Sequence, residues 1–93
     1  MGEVEVKEFG KYIVADPRIC HGQWTFRGTR IMVWQVLEQV SEEEPWDTIV
    51  KEWRGSVPRE AIAEAVELAR EVLVATNEEW RRKALAQLDD VAG

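Results

Sequence analysis

Two rhythms of apolar and polar positions run along the 93-residue chain. Phe9 to Val14 is a β-branched and aromatic run that stops at Asp16-Pro17, and it predicts a first strand ending in a turn. Gly22 and Gly28 bracket Trp24-Thr25-Phe26, which reads as a second short strand antiparallel to the first. The period then changes. Val33, Val36, Leu37 and Val40 recur at three and four, the spacing of one buried helix face. Ser41-Glu42-Glu43-Glu44-Pro45 breaks that helix, and Trp46, Ile49, Val50 and Trp53 predict a second, short one. Pro45 suits its first turn, and Asp47 the positive end of its dipole.

Arg54-Gly55 stops the second helix, since glycine takes the left-handed conformation that a helix end needs. Ser56 is a fair N-cap for a third helix from Val57 to Ala75, buried along Ile62, Ala65, Val66, Ala69 and Leu73. Its solvated face carries Arg59, Glu60, Glu64, Glu67, Arg70 and Glu71. Thr76 followed by Glu79 is a capping box, which predicts a separate last helix with Trp80, Ala84, Leu85 and Leu88 on one face. Met1 to Glu5 has little to bury and reads as a frayed end. The expected fold is mainly α. A short N-terminal antiparallel β element precedes a tri-helical, helix-turn-helix-like bundle, and a C-terminal helix is appended at 76–93 to a single domain of 1–75.

Composition narrows the function classes. One Cys and one His exclude an internal disulfide and a four-ligand zinc finger, and no residue set suggests a cofactor. No apolar stretch approaches the ~20 residues of a membrane span, so a cytoplasmic protein without membrane contact is expected. The net charge of −6 is unevenly placed. Residues 35–79 carry four bases against twelve acids, whereas 1–34 and 80–93 are each slightly basic. Any phosphate contact should therefore use the ends and turns.

Three constellations stand out. Gly28-Thr29-Arg30 lies between a strand and a helix, where hydroxyl and guanidinium can tie loop carbonyls to the helix start. Arg27, Thr29 and Arg30 are also placed to grip a phosphate, and Arg59 is the base nearest the start of the third helix. Cys20-His21 invites a nucleophilic reading. Neighbours in an extended segment point to opposite sides, however, and no second His exists, so no enzyme activity is expected. The five tryptophans exceed what so small a core can enclose. Trp24, Trp34 and Trp80, with Leu85 and Leu88 of the last helix, are candidates for a protein–protein interface. Open strand edges and an apolar stripe on the last helix lead to the expectation of a homodimer.

Between Tyr12 and about Leu73 the chain reads Ile13-Val14-x-Asp16-Pro17, Gly22, Gly28-Thr29-Arg30-Ile31-x-Val33 and Val36-Leu37, followed by a short amphipathic helix and an Ala-rich one. This pattern resembles domain-of-unknown-function family 433, in which a β element precedes a helix-turn-helix bundle. The family usually has Pro at the positions of Trp24 and Met32 and Gly near Glu43. Members look like VapB-type antitoxins paired with a PIN-like ribonuclease toxin. The resemblance implies toxin neutralisation and binding to the operon's own promoter. A dimeric helix-turn-helix DNA-binding regulator without a toxin is the alternative.

Overall fold

In a computed structural model, residues 4–92 are described, with side chains to Leu88. A three-stranded antiparallel sheet, β1 (Lys7–Glu8), β2 (Ile13–Ala15) and β3 (Trp24–Phe26), precedes three helices, α1 (Val33–Ser41), α2 (Trp46–Glu52) and α3 (Arg59–Ala92). β2 is central, with Lys7 opposite Ala15 on one side and Val14 opposite Thr25 on the other. The run from Phe9 to Val14 is thus not one strand. The chain bends at Gly10-Lys11, and only Ile13 and Val14 enter the sheet.

The core forms where one sheet face meets all three helices. Ile13 and Phe26 contribute from the sheet, Val33 and Val36 from α1, Ile49 from α2, and Val57, Ala61, Ile62 and Ala65 from the approach to α3 and its first turns. Trp46 of α2 and Trp53 at its C-terminal cap pack on this cluster. The three-and-four spacing of the sequence therefore marks the buried faces of α1 and α2.

Both short helices end in the same motif. In α1 the Glu44 N–H donates to the Gln39 carbonyl (3.1 Å) and the Glu43 N–H to Val40 (3.0 Å). In α2 the Gly55 N–H donates to Val50 (2.9 Å) and Arg54 to Lys51 (3.0 Å). These are Schellman ends, whose left-handed residue is usually glycine. Here it is Glu43 (φ 65°) and Arg54 (φ 53°), with Gly55 one place later.

α3 departs from expectation at both ends. It starts at Arg59 rather than after a Ser56 cap, because Pro58 disfavours helical backbone at Val57 and supplies the first carbonyl itself. It then runs unbroken through Thr76, so the separate last helix is corrected to a continuation of the third. A capping box starts a helix only where the preceding one stops, and no Gly or Pro lies between Arg59 and Ala92. The helix is about 50 Å long at 1.5 Å per residue. From Ala69 to Leu88 every side chain except Ala84 is exposed, so the second half of α3 is an arm projecting from the body. The radius of gyration, 17.4 Å, records this. A compact chain of this length would have about 12 Å.

Candidate functional site

The basic residues singled out as phosphate contacts are largely engaged within the chain. Arg27 lies in the turn after β3, from which its Nε donates to the Lys11 carbonyl (3.0 Å). Its terminal nitrogens donate to the Gly10 carbonyl and to Glu8, each at 3.2 Å. It clamps the β1–β2 loop. The Thr29 hydroxyl donates to the Phe26 carbonyl (2.7 Å) and accepts from the Ile31 N–H (3.0 Å), closing the turn that leads into α1. Arg59 pairs with Asp47 (2.8 Å) and lies 5.4 Å from the centre of the Trp46 ring. Arg30 is exposed, and its side chain has no partner among the described residues.

Cys20 and His21 are not in an extended segment. They form a tight 3₁₀ turn, Cys20–Gly22, with φ of 50° and 56°. The thiol donates to the Arg30 carbonyl at 3.6 Å, joining the turn to the start of α1, and the imidazole is exposed. Among the described residues no cluster could hold a metal ion, and no helix is long and apolar enough to cross a membrane.

Glu64 is misplaced by the helical wheel. It is half-buried, and its carboxylate accepts from two successive backbone amides, Lys11 (2.9 Å) and Tyr12 (2.7 Å). A Cβ on Gly10 would lie 2.7 Å from that carboxylate, which explains a glycine in this loop. Arg27 from one side and Glu64 from the other fix the β1–β2 loop against α3.

The surplus tryptophans gather around two adjoining hollows. Trp34 is 51% exposed, as its place beside the buried Val33 requires. Trp24 is 37% exposed and stacks on Phe9 with 3.9 Å between ring centres. One hollow, about 410 Å³, lies between the Cys20–Gly22 turn and the start of α1, under Trp24 and Trp34. The second, about 430 Å³, is walled by Trp24, Val33, Leu37, Ala65, Leu68 and Ala69, and opens at the root of the arm. Trp24, Val33 and Leu37 line both, so the two form one apolar groove. The stripe that buries Ile62 and Ala65 continues outward as Ala69, Leu73, Thr76, Trp80 and Ala84, one residue per helical turn. Among the described residues Leu73 (68%), Trp80 (65%) and Leu88 (61%) are the most exposed large apolar side chains, and Leu85 is 48% exposed. Sequence reasoning marked Trp80, Leu85 and Leu88 but missed the groove residues Leu68 and Val72. The unbroken spacing through Thr76 is the signal that joins them.

A third hollow, about 230 Å³, has a different character. Glu38 and Glu42 line it together with Trp34 and Trp53. The Trp53 indole donates to the side-chain Oε1 of Gln39 (2.7 Å), and the Gln39 side-chain amide nitrogen donates to Glu52. Glu44, hydrogen-bonded to Glu52, raises the Glu52 carboxyl above its ordinary value, with help from local desolvation and like-charge repulsion. Asp16 goes the other way. Side-chain and backbone hydrogen bonds from Arg18 hold its carboxyl below the ordinary value.

A family model described as "Protein of unknown function (DUF433)" matches residues 13–69. Neither a curated protein nor a solved structure matches the chain.

Proposed function

Because the chain belongs to the DUF433 family of proteins of unknown function, its role has to come from its own surfaces, and we propose an antitoxin-like protein-binding module. It would sequester a PIN-like ribonuclease, with homodimerisation and autoregulation of its operon as parts of the same reading. The observation that carries it is the acidic hollow rimmed by Trp34, Trp53, Glu38 and Glu42. Carboxylates beside indole faces suit an arginine or lysine, which gains both charge-assisted hydrogen bonds and cation–π contact. A ribonuclease must present such cations to bind RNA, and a protein that covers them blocks the substrate. The exposed arm adds apolar contact area.

The alternative, a DNA-binding dimer without a toxin, has less to draw on. Arg27 and Arg59 are held by partners within the chain, and four acids share the first turns of α3 with Arg59 and Arg70.

Tandem expression with the adjoining reading frame tests the proposal. A ribonuclease-like product is expected to co-purify and lose RNA cleavage. The Glu38→Lys, Glu42→Lys double variant should lose the complex while keeping its helical circular dichroism. Absence of co-purification, or a partner whose contact face is acidic, overturns it.

A further inference from the structure

We propose that the free edge of the sheet pairs with the same edge of a second copy, antiparallel and centred on Val6. The inference rests on the homodimer in the proposed function and names its interface. β1 is an edge strand, bonded to β2 on one side only. The Phe9 N–H donates to the Ile13 carbonyl (2.9 Å), and Lys7 faces Ala15 two residues back. Antiparallel partners alternate between bonded and non-bonded pairs, so Phe9 and Lys7 bond inward to β2. The N–H and C=O of Glu8 therefore point outward, and the same alternation turns those of Val6 and Val4 outward. Val6 and Val4 are 40% and 44% exposed, so this stretch is open to a neighbouring strand.

Hydrogen bonding and charge together select one register. Outward groups meet outward groups only if the two-fold axis passes through a residue, not between two residues. Centring on Glu5, Lys7 or Glu8 sets like charges directly opposite each other, which destabilises a ribbon. Centring on Val6 does the reverse. Val6 then faces Val6 of the second copy, and Val4 faces Glu8 on either side, each pair exchanging both of its N–H···O=C bonds. Glu5 faces Lys7 in the intervening non-bonded pairs, where side chains approach closest, and symmetry repeats the pair.

These two charges are free to do so. Neither Glu5 nor Lys7 has an ion-pair partner among the described residues, whereas Glu8 is already paired with Arg27. The Lys7 ammonium lies 5.4 Å from the centre of the Phe9 ring, on the side of the strand that Glu5 shares. The pairing joins the two three-stranded sheets into one and covers both edges at once. It leaves the acidic hollow beside Glu38 and Glu42 free on each copy.

A ribbon from Val4 to Glu8 is a small interface, so a reversible dimer with a Kd of about 10–300 µM is expected. Sedimentation velocity of the full chain across that range should show it. Glu5→Lys and Lys7→Glu should each weaken self-association about tenfold or more, since each sets like charges opposite twice over. Mixed in equal amounts, the two variants should pair with each other, because every facing pair is then of opposite sign. Val6→Pro removes an outward N–H that bonds nothing within the chain, so it should abolish the dimer and keep the wild-type circular dichroism. A dimer that survives Val6→Pro, or variants that fail to pair when mixed, overturns this edge while the homodimer of the proposed function stands. A monomeric wild-type chain that still captures the ribonuclease overturns the edge and the homodimer but not the capture.

Discussion

Single residues settle several features that no periodicity announces. Glu43 and Arg54 take left-handed backbone at the ends of α1 and α2, where side chains other than glycine are strained. Glycine at position 43 would be the strain-free solution. Glu43→Gly is therefore expected to raise stability by about 0.5–1 kcal/mol, part of the relief being offset by the entropy of a freer unfolded chain. Urea unfolding checks this, and an unchanged or lower midpoint would refute it. Glu64 makes the opposite case. Its carboxylate satisfies two loop amides from 53 and 52 residues away, a contact that no local pattern encodes. Glu64→Ala should cost about 1 kcal/mol, chiefly by stranding the part-buried Tyr12 amide since the Lys11 amide is open to water, and Gly10→Ala should destabilise by pressing a methyl group on the same carboxylate. If Glu64→Ala left the unfolding midpoint where it was, the loop would not depend on that latch.

The pH response can be argued from individual carboxylates as well. Asp16 titrates lower in the fold than in the open chain, so its contribution is present above the ordinary carboxylate range and lost as pH falls through the lowered value. Glu52 titrates higher, chiefly through its hydrogen bond with Glu44. Its contribution is present in acid and lost as pH rises through the raised value, which leaves two facing carboxylates. Glu52→Gln should therefore be more stable than the wild type at neutral pH, with the advantage shrinking below the ordinary carboxylate range. Urea midpoints across a pH series would show it. An advantage that grew in acid would reverse the assignment.

At the scale of elements, much was legible. Three-and-four spacing marks the inner faces of α1 and α2, and the glycine-bracketed Trp24-Thr25-Phe26 is a strand. What failed was the outer part of the third helix's inner face, where Ile62 and Ala65 are buried but Val66, Ala69 and Leu73 are exposed because the body ends there, and punctuation. Gly10 turns a presumed single strand into a hairpin loop because Glu64 and Arg27 hold that bend, and both contacts are long-range. Thr76–Glu79 resembles a helix start, but the Ala-, Glu- and Arg-rich sequence around it gives the backbone no reason to stop. The candidate interface was legible one side chain at a time, through Trp24, Trp34 and Trp80. Their relation was not, because the groove exists only once α1, β3 and α3 have packed together.

The whole molecule divides into a body that holds the core and an arm that contributes little to it. Among the described residues every fully buried apolar side chain lies at or before Ala65, and Leu68 is the last side chain of α3 packed on that cluster. A chain ending after Ala75 should keep the folded body, with a loss of no more than about 1 kcal/mol from the isolated domain, since exposed helix adds little stability by itself. The β1 edge lies in the body, so both chains keep the dimer interface, and association is linked to folding. A tenfold rise in concentration then stabilises each chain by about 0.7 kcal/mol, half of RT ln 10 because two chains share each association. The melting temperatures of the full and shortened chains should thus climb together with concentration. Calorimetry of the two side by side over a hundredfold range separates the cases. Flat, concentration-independent curves would mean that neither the edge nor the arm pairs two copies. A rising curve for the full chain alone would locate the association in the segment beyond Ala75, where Trp80 and the Arg81-Arg82-Lys83 turn lie.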